Sequence, residues 1–190
     1  MTSHSQPKRS DRLVIGIAGR IGSGKTSVGT YLSSAHGFRY VRYSQVLSEW
    51  LAAEPGAKAQ LQEVGWEVMA GGKQMELNRR LIARILPDVN VAVDGLRHLT
   101  DYESLERSFH QSFHLIFLDS SPEDRWERMR GKGRYLTLSD FEAADSHPVE
   151  QRIDSLRPMA ARVIHNDSSL EDLFKTVDET VESFEKVGHS

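Results

Sequence analysis

This chain of 190 residues contains no cysteine. That absence excludes disulfides, thiolate metal sites and cysteine nucleophiles, and it fits the reducing cytoplasm. Nowhere is there an apolar run of about 18 residues, so no membrane-spanning helix is expected. An excess of one charge is missing as well: 24 Lys and Arg face 27 Asp and Glu, for a formal charge of −3. Such a balance gives no global attraction to nucleic acid or to an anionic membrane, although a local basic patch stays open. The histidines read as turn, strand-start and helix-start residues (His36, His114, His147), and no zinc site is expected from them. The polar opening from Met1 to Ser10 lacks an apolar signal core. It reads as a disordered tail over residues 1–11, followed by a single domain over 12–190.

What the sequence does contain is a phosphate-loop motif. Gly19-Arg20-Ile21-Gly22-Ser23-Gly24-Lys25-Thr26 fits GxxxxGK[ST] at every fixed position. It lies between a strand-like segment, Leu13 to Ala18, and a helical one that begins at Ser27. Its three glycines let successive N–H groups turn toward phosphate oxygens, and the helix N-terminus adds the positive end of its dipole. Lys25 is expected to reach the β- and γ-phosphates of ATP, with the Thr26 hydroxyl on Mg²⁺.

Strand-like and helix-like segments alternate along the chain, which predicts a parallel sheet covered on both faces. The later strands are expected at Phe38–Tyr43, Val89–Val93, His114–Leu118 and Ala161–Ile164. Between the second and third, Gln45 to Leu86 reads as helical, broken at Glu54-Pro55-Gly56 and at Gly71-Gly72. There Leu61, Val64, Gly65, Val68 and Met69 recur at helical spacing and, with Trp66, read as packing residues.

Ligands of open α/β sheets gather at the carboxyl ends of the strands. The third strand ends in Asp94-Gly95-Leu96-Arg97, where Asp94 suits Mg²⁺-bound water or the acceptor's proton and Arg97 an anionic oxygen. After the fourth, Ser121-Pro122 with Asp124 reads as a capped helix start. It leads into Arg125, Arg128, Arg130, Lys132 and Arg134, five cations within ten residues. Mobile arginines closing over the transferring phosphoryl group stabilise its charge, so Arg128 and Arg134 are read as catalytic and Arg130 as nucleotide-binding. The segment 131–148 then has the size of a lid, and Asp145 and His147 read as its return loop and the next helix start.

In their order these motifs resemble the nucleoside-monophosphate-kinase-like branch of P-loop phosphotransferases, and within it the dephospho-CoA kinase and phage-type deoxynucleoside monophosphate kinase relatives. The likeness runs from about Leu13 to Val181 and includes the loop, Asp94-Gly95-Leu96-Arg97, the arginine-rich lid start and Asn166-Asp167-Ser168-Ser169-Leu170. It implies a three-layer P-loop sandwich with five parallel strands in the order 2-3-1-4-5. It also implies ATP and Mg²⁺, an acceptor phosphate on Arg97, and adenine beside Asn166 and Asp167. The nucleotide set is then Gly19, Ile21, Gly22, Ser23, Gly24, Lys25, Thr26, Ser27, Arg130, Asn166 and Asp167.

One departure bears on the acceptor. Where relatives carry an aspartate and, three residues on, an arginine after the second strand, this chain has Gln45 and Ser48. These hydrogen-bond but cannot neutralise a phosphate. Arg39, Arg42 or Arg79 stand near enough in sequence to substitute, and Arg42, Ser44, Gln45 and Arg97 form the expected acceptor side. The leading expectation is a deoxynucleoside monophosphate kinase, cytoplasmic, monomeric or homodimeric. The alternatives are dephospho-CoA, whose acceptor is a ribose hydroxyl, a hydroxyl on a modified DNA base held by Tyr40, Tyr43 and Trp50, and a nucleotide-binding regulatory module without transfer chemistry.

Overall fold

A computed structural model of the protein describes residues 12–52 and 72–188. The expected tail, the break at Glu54-Pro55-Gly56 and the packing positions from Leu61 to Met69 lie outside the described residues. Five parallel strands make one sheet: β1 (Val14–Ala18), β2 (Arg39–Arg42), β3 (Val91–Asp94), β4 (Phe113–Asp119) and β5 (Arg162–His165). Their order is β2-β3-β1-β4-β5, as the resemblance implies.

Alternation along the strands divides the core into two layers. Val14 and Ala18 of β1, with Leu115 and Phe117 of β4, face α2 (Tyr43–Ala52), α3 (Gln74–Ile82) and α4 (Leu99–Phe109). On the other side Ile15 and Ile17, with Ile116 and Leu118, meet α1 (Lys25–His36) and α8 (Leu170–Gly188) through Val28, Leu32, Val177 and Val181. Both faces of the central strands are therefore dry, which is why β1, β3 and β4 are mostly apolar while the outer strands β2 and β5 carry exposed polar residues. Among the described residues no helix is long and apolar enough to cross a membrane.

Helix starts follow local chemistry. Ser121 accepts the Asp124 N–H (3.0 Å) to begin α5 (Pro122–Gly131), with Pro122 in the first turn. Thr137 and Asp140 form a reciprocal capping box on α6 (Leu138–Asp145), and His147 caps α7 (Pro148–Ile153) through the Val149 N–H. The second strand ends at Arg42, so Tyr43 opens α2 and does not close β2. Its phenol is buried and donates to Asn78 Oδ1 (2.8 Å), a tertiary contact that local propensity does not register.

The expected lid, residues 131–148, is partly helical and carries α6. Phe141 anchors it: the ring is 2% exposed and lies 5.7 Å from Trp126 and 6.0 Å from Tyr135, centroid to centroid. Phe141→Ala is expected to cost about 3 kcal/mol, the scale of a buried aromatic truncation. Urea unfolding measures it, and a loss below about 1 kcal/mol would mean that the segment is not fixed by this ring.

Candidate active site

Strand register brings the loop and the acidic turn together: Ile17 pairs with Asp94 across β1 and β3, and Arg42 pairs with Asp94 across β2 and β3. Gly19, Gly22 and Gly24 all take positive φ (146°, 80° and 106°), which turns the loop back on itself ahead of α1. At Gly24 the demand is steric as well, because a Cβ would come within 2.6 Å of Asn166 Nδ2. That amide donates to the Ser23 carbonyl (2.9 Å), so Asn166 grips the loop from the end of β5. Ser23 Oγ is buried without a hydrogen-bond partner. Thr26 is exposed and Ser27 half-buried on the first turn of α1.

Lys25 folds beneath the loop and donates to the carbonyls of Gly19 (2.6 Å) and Arg20 (2.9 Å). Burial lowers its pKa below the usual ammonium value, against the charges of Asp94 and Glu150, while Arg97 and Arg125 push the same way as burial. Asp94 is 7% exposed; its Oδ2 accepts the Tyr40 hydroxyl (2.6 Å), and its Oδ1 is buried with no partner. A buried carboxylate oxygen left open costs free energy unless something cationic or a donor meets it.

The arginines divide by what they touch. Arg97 donates to Glu150 Oε1 (2.6 Å), and the fully buried Glu150 accepts the Ile21 N–H on its other oxygen (2.8 Å). Arg125, 3% exposed, donates to the Ile21 carbonyl (3.1 Å) and chelates Asp145. Arg20 reaches across to Asp145 and Asp154. Arg128 donates to Ser120 Oγ (2.7 Å) and the Asn166 carbonyl, tying the ends of β4 and β5. Arg130 is exposed and pairs with Glu127 of its own helix, whereas Arg134 is exposed in the lid. Asp167 is exposed beside Asn166.

On the acceptor side Ser44, Gln45 and Arg42 are exposed. Gln45 donates to Glu49 Oε1 (3.0 Å), and the Arg42 guanidinium lies 5.8 Å from the Tyr40 ring centroid. Two of the three substitute cations expected from sequence are placed elsewhere. Arg39 stands at the start of β2, paired with Val91, at the end of the strand away from the loop, and Arg79 is spent on Glu76 (2.8 Å). Tyr40, Asp145 and Glu150 enter the site as side chains that no motif marks. Pro148 two residues before Glu150 signals a helix start, but nothing local says that its third residue is buried under the loop.

The Arg125 and Asp145 pair makes the loop and the lid end one unit. Burial alone would raise the Asp145 carboxyl, yet hydrogen bonds and charge from Arg125 and Arg20 override it and hold the pKa below the ordinary 3.8. A depressed native pKa means the stabilisation is complete above the unfolded value and fades as pH falls through the native one. Asp145→Asn is therefore expected to cost about 3 kcal/mol near pH 7, the scale of breaking a buried pair. Its urea midpoint should converge on that of the wild type below pH of about 4. A gap that stays constant across that range would show that Asp145 does not act through its charge.

The AAA domain family matches residues 15–147, well over half of the chain and the part that holds the loop, Asp94, Arg97 and the lid. A UPF0200 protein of Methanothrix thermoacetophila is 32% identical over 124 residues, which is 64% of this chain and 66% of that protein. The match thus spans just under two thirds of the relative's length. A shikimate kinase from Acinetobacter baumannii in complex with shikimate superposes with a TM-score of 0.57 at 19% identity, covering 92% of this chain and 95% of the other. A gluconokinase from Sinorhizobium meliloti does so with a TM-score of 0.62 at 15% identity, covering 96% of each chain. Likeness at that identity speaks for the fold, and the fold is that of the P-loop kinases. By its match across the phosphate loop, the acidic turn and the lid, the chain belongs to the AAA domain family.

Proposed function

We propose that this protein transfers the γ-phosphoryl group of ATP to a small, nucleotide-like acceptor. The observation that carries the reading is Asp94: a buried carboxylate at the carboxyl end of β3, beside the phosphate loop, with one oxygen unpartnered. In transfer the acceptor oxygen forms a bond to Pγ and the bond from Pγ to the β,γ-bridging oxygen breaks, releasing ADP; a phosphate acceptor attacks as its anion, whereas a hydroxyl acceptor passes its proton to a base. Loop N–H groups and Lys25 cradle the triphosphate, and Lys25 need only exchange the Gly19 and Arg20 carbonyls for phosphate oxygens. Asp94 orients the attacking acceptor oxygen, and takes its proton where the acceptor is a hydroxyl. Thr26 and Asp94 suit Mg²⁺, which keeps most of its waters and needs few protein ligands. When bound, Mg²⁺ supplies neutralisation of the phosphate charge. Arg128 and Arg134 serve as the electrostatic partners of the transferring group, and the lid excludes competing water.

Two of the chain's structural neighbours are small-molecule kinases, which supports a small-molecule acceptor. A deoxynucleoside monophosphate, its phosphate on Arg97 and Arg42, remains the leading acceptor. The pairing of Arg97 with the buried Glu150 favours a second reading, because an arginine already neutralised holds a phosphate less well. On that reading the acceptor presents a hydroxyl, as dephospho-CoA does.

Transfer of labelled γ-phosphate with Mg²⁺ tests both, with deoxynucleoside monophosphates, dephospho-CoA and DNA bearing hydroxymethylated bases as acceptors. Lys25→Ala should abolish transfer with its melting temperature unchanged. Asp94→Asn should lower kcat by about 100-fold or more, the scale of a lost general base, with ATP affinity nearly intact. Full activity in either variant would defeat the site assignment. ATP binding without transfer to any acceptor would favour a regulatory module.

A further inference from the structure

Tyr40 is unassigned by the reaction just described, yet it lies at its centre. It stands on β2 in register with Ala92, and its ring crosses α1 at Gly29. A Cβ on Gly29 would come within 2.3 Å of ring atom Cε2 and 2.6 Å of Cζ. An interior helical glycine costs about 1 kcal/mol relative to alanine, so its presence here has a packing reason: it makes room for this ring. The Arg42 guanidinium lies 5.8 Å from the ring centroid.

The phenol so placed donates to Asp94 Oδ2 at 2.6 Å, with the Thr26 hydroxyl near enough to act on it. The other carboxylate oxygen, Asp94 Oδ1, is buried without a hydrogen-bond partner, so one oxygen is fixed and one is open. Burial and the Asp94 charge push the Tyr40 pKa well above its ordinary 10.0, so the phenol stays a donor throughout the physiological range.

We propose that Tyr40 is a positioning residue for the divalent cation that accompanies the nucleotide. Its hydroxyl holds Asp94 by Oδ2, which would leave Oδ1 to face a cation held together with Thr26. The inference rests on the reading that Thr26 and Asp94 serve the cation, and it adds the residue that holds the carboxylate in place. Partners that orient ligands in this way typically change metal affinity by about 10- to 100-fold when removed.

The test uses Tyr40→Phe, which keeps the ring against Gly29 and removes only the hydrogen bond to Asp94. Mn²⁺ serves as the probe and is titrated by electron paramagnetic resonance into the full chain holding a non-hydrolysable ATP analogue. Mn²⁺ affinity should fall about 10-fold, with analogue affinity in the absence of divalent cation and melting temperature unchanged. In an Asp94→Asn background, Tyr40→Phe should add nothing further, because the phenol acts through that carboxylate. Wild-type Mn²⁺ affinity in Tyr40→Phe, or a loss that simply adds to that of Asp94→Asn, would overturn the proposal. The underlying site reading fails separately: it falls if Thr26→Ala and Asp94→Asn both bind Mn²⁺ as the wild type does.

Discussion

Arg125 donates in one stroke to a carbonyl of the phosphate loop and to Asp145 at the end of α6, and almost no solvent reaches it. A guanidinium buried to that degree is tolerable only when its donors are met, so the geometry of three elements is coupled to one charge. The loop cannot drift from α5 without stranding it, and the lid cannot peel away at its return without doing the same. Arg20 extends the coupling from within the loop to Asp145 and Asp154. The loop is thus held from outside by ion pairs at Arg20 and Arg125, and by Glu150 on the Ile21 N–H.

A second buried charge divides the site. Glu150 takes a loop N–H on one oxygen and Arg97 on the other, so the arginine of the acidic turn is fixed in place and electrically offset. Precise placement and charge for binding are in tension here, since the contact that orients Arg97 also spends part of its attraction for an anion. Behind the same turn, Asp101 accepts the N–H groups of Arg97 and His98 and a Gln74 amide proton. One carboxylate thus holds two backbone N–H groups of the turn. Phe141 buries its ring within the segment 131–148, while Arg134 and Leu136 of that segment are exposed.

Much of this was legible in the sequence because it depends on local rules. The phosphate loop follows from glycine spacing between an apolar strand and a helix. The parallel sheet follows from alternating elements, and the start of α5 from Ser121-Pro122. Asp94 and Arg97 stood out because charged residues that close a buried strand need a reason. The strand order came from resemblance, not from spacing, and the sheet bears it out.

The remainder depends on residues far apart in sequence. Arg125 and Arg128 share a helix and read alike, yet one is sealed against Asp145 and the other ties Ser120 to Asn166. Arg39 and Arg42 sit on one short strand, and only the register decides that Arg42 lies beside Asp94 while Arg39 lies at the strand's far end. Glu150 looks like a helix-start acid until the fold carries it 129 positions back to the Ile21 N–H. Tyr40 looks like a strand aromatic until Gly29 admits its ring beside Asp94. By itself the sequence determined where the main strands, the helix starts and the glycine-rich loop fall, since periodicity, caps and glycine conformations act within a few residues. Which charges are buried, and which of them pair, was decided only by tertiary structure, because desolvation and Coulomb energy depend on neighbours that chain folding supplies.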